Sequence, residues 1–184
     1  MGEAADGRAV GPFVSADLAF RVHPRVAVGL RVAYMRFTDD AIDPVTDRYI
    51  AAMPEVRVRW SDIDMYQHVN HATMVTILEE ARVDFLHEPF ADDILTIGLL
   101  IHEVRVLYKG QLRLADSPLR VTMWTKRLRA VDFTLGYEVR AAGADPESKP
   151  AVIAETQLAA VHIEEQRLVR LSPKAREYLQ RWLR

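Results

Sequence analysis

The stretch RWSDIDMYQHVNHATMVTILEEAR, residues 59–82, changes character halfway along. Its first half crowds Asp62, Asp64, His68, Asn70 and His71 together. Its second half sets Met74, Ile77, Leu78 and Ala81, followed by Phe85, at three- and four-residue steps. Glu79, Glu80, Arg82 and Asp84 fall between them. That spacing predicts a helix of about four or five turns ending near Pro89. Val75, Val83 and Leu86 widen the apolar stripe, and a helix apolar on most sides is expected to be wrapped by other structure.

On the N-terminal side, Val56, Val58 and Trp60 alternate with Glu55, Arg57 and Arg59, which predicts a half-buried strand leading into the polar loop. Beyond the helix come four β-like segments, roughly 97–108, 119–130, 133–142 and 151–164. The turn-forming stretches KGQLRLADSP and AGADPESKP and a short hairpin at 129–132 separate them. SPKAREYLQRWL reads as a closing helix with Ser172 as N-cap and Pro173 at the first position. A strand, a long helix and four strands in succession predict an α+β domain over residues 53–184, with one antiparallel sheet curled around one helix. Residues 1–52 read as an N-terminal extension, partly disordered or contributing an added strand at RVAVGLRVAYMRF, and dispensable for the domain.

Composition narrows the function classes. With 184 residues, 49 % of them hydrophobic, the chain can bury one full core. A formal net charge of −2 gives no global attraction to nucleic acid or to an anionic membrane. Cysteine is absent, which excludes disulfides, thiolate metal sites and a thiol nucleophile. The N-terminus lacks the basic and apolar regions of a secretory signal, and no apolar run is long enough to span a bilayer. A soluble cytoplasmic protein is the expectation.

Three chemistries compete for the polar cluster. A calcium loop starting at Asp62 needs glycine at its sixth position and glutamate at its twelfth, where this chain has Gln67 and Thr73. A metal site built on His68 and His71 lacks a third ligand of suitable spacing, so no metal is expected. The third reading is acyl transfer. A carboxylate beside a helix N-terminus sits next to free backbone N–H groups and the positive end of the helix dipole. Those N–H groups can stabilise an oxyanion, while the carboxylate attacks a carbonyl or activates water to do so. Against it stands simple capping, for which Asp and Asn before a helix are well suited.

The same stretch closely resembles the signature of the 4-hydroxybenzoyl-CoA thioesterase-like proteins of the hotdog superfamily. That signature runs strand, D-x-D, a short loop, H-V-N-N or similar at the opening of the central helix, and E-x-A-R near its middle. VRVLYKGQLRLADSPLRVTMWTKRLRAVDFTLGYEV is similar to the second and third strands of that family with their connecting turn. The resemblance covers about residues 54–184. It implies a hotdog fold, a curved antiparallel sheet around one long helix, and an acyl-CoA thioesterase that needs no cofactor.

By the resemblance, Asp64 matches the catalytic carboxylate, as nucleophile or general base. His71 falls where the helix-opening residue presents its N–H to the thioester carbonyl, and Asn70 is the asparagine that shapes the turn. Trp60 matches an aromatic position near the acyl pocket, with Asp62 and His68 as loop supports beside it, His68 within reach of substrate. Lys126, Arg127 and Arg129 cluster where the third strand of the sheet ends, as holders of coenzyme A phosphates or as an ordinary basic strand end. Glu80 reads as a solvated or ion-paired helix residue. Gln67 replaces a glycine common just before the motif histidine, and His71 replaces the commoner second asparagine. A homodimer or homotetramer is implied, because hotdog domains of this kind bind substrate between subunits. The alternatives are a non-catalytic acyl-CoA-binding hotdog protein and a thioesterase acting on acyl carrier protein.

Overall fold

A computed structural model describes residues 41–43, 48–51, 54–93 and 95–184. The added strand expected within residues 25–37, and most of the assigned extension, lie outside the described residues. Inside that extension, β1 (Ala41–Asp43) and β2 (Arg48–Ala51) pair as an antiparallel hairpin.

The principal sheet has the strand order β3-β5-β6-β7-β4, with β8 paired to β7, and every pairing is antiparallel. Its strands are β3 (Glu55–Val56), β4 (Ile97–Tyr108), β5 (Leu119–Leu128), β6 (Asp132–Ala141), β7 (Val152–His162) and β8 (Arg167–Leu168). The long helix α1 (His71–Phe90) is inserted between β3 and β4, and α2 (Pro173–Arg181) closes the chain.

Period-two alternation decides which side of the sheet meets the helix. Val121 and Met123 of β5, Leu135 and Tyr137 of β6, and Ala154 and Leu158 of β7 are buried. They form one core with Met74, Ile77, Leu78, Ala81 and Phe85 of α1. The helix therefore lies against one face of the sheet, as its apolar stripe requires. The opposite edge of the helix, including Glu79, Val83 and His87, remains exposed in the single chain. At the far end, Tyr178 and Trp182 meet Phe85 edge-on, each with ring centroids 5.3 Å away. The Ser172 hydroxyl caps α2 by accepting from the Ala175 N–H at 3.2 Å.

Three local features depart from the sequence expectation. The first strand stops at Val56, and Trp60 points outward at 83 % exposure rather than continuing the buried alternation. The chain turns there because Arg59 and Asp62 close a 3-10 turn over Trp60–Asp62. The strand alternation is reset at His102 of β4 and Lys126 of β5, where register shifts mark β-bulges. Arg82, which the spacing placed on the polar face of α1, is 5 % exposed. It sits four residues from both Leu78 and Leu86, on the buried stripe.

Candidate active site

The Asp62–His71 loop is built from its own backbone. Arg59 donates to Asp62 from its main chain (2.7 Å to Oδ2), from Nε (3.1 Å to Oδ1, 3.0 Å to Oδ2) and from Nη2 (2.9 Å to Oδ1). Burial acts to raise the Asp62 pKa, but these hydrogen bonds and the Arg59 charge outweigh it and hold the carboxyl below the usual range. Glu80 on α1 also lies close enough for its charge to act on Arg59. Asp62 thus fixes the entry to the loop, the supporting role expected for it.

Asp64 organises the next turn. Its N–H donates to the His68 carbonyl at 2.8 Å, and its carbonyl accepts from the Gln67 N–H at 3.0 Å. Its side-chain Oδ1 accepts from the Tyr66 and His68 N–H groups, at 2.8 and 3.1 Å. One carboxylate oxygen is held by the backbone, which orients the other. The turn requires a left-handed residue, and Gln67 supplies it with φ of 62° at the position where glycine was the expected type.

The loop then delivers the chain to the helix. Val69 donates to the Leu112 carbonyl at 2.8 Å, anchoring the loop on the β4–β5 connection. Asn70 is the N-cap, its Oδ1 accepting from the Ala72 N–H at 2.8 Å. The His71 N–H takes no acceptor among the described residues. It therefore remains a free donor at the positive end of α1. The Tyr108 hydroxyl, at the end of β4, donates to the His71 carbonyl at 2.8 Å and ties the sheet edge to the first helical turn. Burial raises the Tyr108 pKa, so this hydroxyl keeps its proton.

Asp64 lines a cavity of about 790 Å³ together with Trp60, Ile63, Gln67, Arg113 and Leu114. The structure thus brings Trp60 and Asp64 into one cavity wall, while Asn70 and His71 open α1 and do not line that cavity. His68 belongs to the loop and does not line that cavity. Lys126 and Arg127 lie on the outer face of the sheet, at the opposite end of β5 from the Asp64 loop. They line a second depression of about 380 Å³ with Glu103, Arg105, Glu155 and Gln157. Lys126 is paired with Glu155 and Arg127 with Asp132 (3.4 Å). Arg129 has no carboxylate partner among the described residues, and its carbonyl accepts from Arg176 at 3.1 Å. Within one chain these cations and Asp64 are not brought together.

Two residues went unnoticed in the sequence. Arg113, in the connection read only as a turn, presents a cation to the Asp64 cavity. Tyr108 braces the helix start. Neither has a local signal, because each depends on a contact between segments far apart in the chain. Among the described residues no three His, Asp or Glu side chains converge as a metal ion requires.

Known proteins share this architecture. The chain is 24 % identical over 133 residues to the long-chain acyl-CoA thioesterase FadM of Escherichia coli strain K12, covering 71 % of this chain and 98 % of that one. The crystal structure of the probable thioesterase YbaW from Escherichia coli superposes with a TM-score of 0.61 at 24 % identity, covering 72 % of this chain and 98 % of that one. A 1,4-dihydroxy-2-naphthoyl-CoA thioesterase from Synechocystis superposes with a TM-score of 0.60 at 16 % identity, covering 70 % and 94 %. Residues 58–183 match the family described as the thioesterase-like superfamily. With a curled antiparallel sheet around a central helix, the chain has the hotdog fold and belongs to that superfamily.

Proposed function

We propose that the protein hydrolyses acyl-CoA thioesters to a carboxylic acid and coenzyme A, with Asp64 as the reacting carboxylate. The supporting observation is its placement. Asp64 is oriented by two backbone N–H groups, lines a cavity of about 790 Å³ and stands beside a helix start with a free N–H. As general base it takes a proton from water, whose oxygen attacks the thioester carbonyl. As nucleophile it forms a mixed anhydride that water then opens. In both cases the oxyanion is met by the free His71 N–H, the Asn70 N–H being held by the Asp62 carbonyl at 2.8 Å, and the thiolate of coenzyme A leaves. Trp60 flanks the acyl group, with His68 behind the loop.

The working unit in this proposal is a homodimer or homotetramer. Strand β4 is a twelve-residue sheet edge with exposed Leu100, Ile101 and Leu107, a surface that invites pairing with a second copy. Arg113, at the Asp64 cavity, suits the phosphates of coenzyme A, and Lys126, Arg127 and Arg129 take the same role in this proposal only if a second copy carries them to a neighbouring Asp64.

Asp64→Asn is the deciding variant, because an amide oxygen preserves the acceptor for Tyr66 and His68 while removing the charge. Thiol release from a panel of short, long and aromatic acyl-CoAs should fall by about a hundredfold or more, given the usual worth of acid–base and nucleophilic groups. An undiminished rate would sink the assignment. Wild-type protein that binds acyl-CoA without releasing thiol would instead establish the non-catalytic binding reading.

A further inference from the structure

On the side of the sheet away from α1, β4 and β7 carry a pattern that complements its own reversal. β4 presents Leu100, Glu103, Arg105 and Leu107 there, opposite Ala159, Gln157, Glu155 and Ile153 of β7. Those β7 residues alternate with Leu158, Thr156 and Ala154, which are buried on the helix side. The bulge at His102 returns Leu100 to the outer side, across from Ala159. Along β4 the order is therefore apolar, acid, base, apolar.

Most charges on this face are answered within the chain. Lys126 pairs with Glu155, Arg127 with Asp132 and Arg140 with Glu138. Glu103 and Arg105 are exposed, and neither has an ion-pair partner among the described residues. Both border the depression of about 380 Å³ on the outer face. Leu100 and Leu107, 54 % and 45 % exposed, flank them. An exposed charge by itself needs no partner. What distinguishes this set is its order.

We propose that the outer face is an interface between copies of the chain, separate from the β4 edge, with two sheets packed back to back. The two-fold axis crosses β4 at Val104 and β7 at Thr156, which are register partners, so one axis serves both strands. It runs β4 against the partner's β4 in the opposite direction, and the contact is isologous. Arg105 then meets the partner's Glu103, and Glu103 meets the partner's Arg105. Leu107 falls on the partner's Leu100, and Ile153 on the partner's Ala159. Glu155 meets the partner's Gln157, whose amide has one N–H beyond the one given to Asp132. Aligned sheets cross at about 30°, which turns the β5 margins, where Arg184 covers Trp124, away from the contact. The occupant is a second copy rather than an acidic or a basic partner, because the unpaired acid and base are one each, at positions the axis exchanges. None of this rests on the thioesterase reading.

Charge reversal decides it, read as mass by sedimentation velocity. Glu103→Arg sets a cation against the partner's Arg105, and Arg105→Glu sets an anion against the partner's Glu103. Each change should weaken association by about a hundredfold or more and halve the assembly mass at micromolar protein. The double variant Glu103→Arg/Arg105→Glu is complementary again and should regain the wild-type mass. A one-to-one mixture of the two single variants should regain it too, because one copy then carries two cations and the other two anions. Single variants of wild-type mass overturn the interface, and so does a monomeric wild type. Failure of both the double variant and the mixture to regain mass also overturns it, since the two residues then do not face each other. Thiol release measured on the same samples keeps the two readings apart. Wild type that releases no thiol overturns the thioesterase reading and leaves the interface to the masses. Unchanged masses beside active wild type overturn the interface and leave Asp64 in its role.

Discussion

The Tyr108 hydroxyl donates to the His71 carbonyl across 2.8 Å, joining the last residue of the β4 edge strand to the first residue of the central helix. These residues lie 37 positions apart in the chain, so the contact sets how the helix start meets the sheet. Tyr108→Phe removes one partly exposed hydrogen bond and should cost at most about 1 kcal/mol of stability. Its effect on turnover should be larger, a several-fold loss in kcat, because small displacements of reacting groups are expensive in rate. Thermal unfolding beside steady-state kinetics checks both. A variant with unchanged kcat would mean that the helix start is held without this tie.

The Arg59–Asp62 clamp makes stability depend on pH in a definite direction. The folded Asp62 carboxyl titrates below its unfolded value, so the unfolded chain binds the extra proton first as pH falls. The clamp's contribution is therefore complete above the ordinary carboxylate range near pH 4 and is lost as pH falls through the folded pKa. Asp62→Asn should lower stability at neutral pH by about 1–2 kcal/mol, a value discounted because Arg59 is partly exposed. It should also flatten the acid limb of the stability curve. Urea unfolding of both proteins from pH 3 to pH 7 tests this, and parallel acid limbs would show that Asp62 is not the titrating group.

Much of this arrangement was legible in the sequence because its periodicities are local. Met74, Ile77, Leu78, Ala81 and Phe85 announce the helix, and the four long strands follow from alternation between turn signals. The start of α2 follows from Ser172 and Pro173. Trp60 misled because alternation says nothing about a clamp that ends a strand. Lys126 and His102 sit at bulges, where an inserted residue resets the alternation without a compositional signature. Arg82 was visible in part, since its spacing from Leu78 and Leu86 puts it on the buried stripe. The charge of its side chain, which places arginine among solvent-facing residues by type, concealed that. The Asp64 loop was found from residue type and order, whereas Arg113 and Tyr108 enter only through the tertiary fold.

Gln67 offers a test of the loop's backbone. Its φ of 62° costs a residue with a side chain about 1–2 kcal/mol, while glycine at the same place brings a larger entropy loss of about 0.5–1 kcal/mol on folding. Gln67→Gly should therefore raise stability by up to about 1 kcal/mol. Gln67→Val, whose branched side chain resists positive φ, should lower it. Chemical denaturation of the three proteins gives the order Gly, Gln, Val. A glycine variant less stable than wild type would show that the Gln67 side chain contributes more than its backbone strain removes.

Gly136 faces Trp124 across the β5–β6 ladder on the outer side of the sheet, and the two are direct register partners. A methyl group on Gly136 would lie 2.6 Å from Trp124 Cε2, 2.7 Å from Cζ2 and 2.8 Å from Nε1. Those atoms belong to a rigid ring, so Gly136→Ala must swing the whole indole away from the sheet. That movement also disturbs the Arg184 guanidinium, which sits 5.0 Å from the Trp124 ring centroid and contributes a cation–π contact. Overpacking of this kind costs about 1–3 kcal/mol, and alanine's smaller entropy loss returns about 0.5–1 kcal/mol of it. The net expectation is a loss of about 1–2 kcal/mol, seen in chemical denaturation, with little effect on turnover because the contact lies on the face of the sheet away from α1. The clash also fixes the behaviour of the double variant. Once Trp124→Ala has removed the ring, Gly136→Ala should be neutral or stabilising, so the two changes should be strongly non-additive. Additive losses would place the cost in the β6 backbone rather than in the indole.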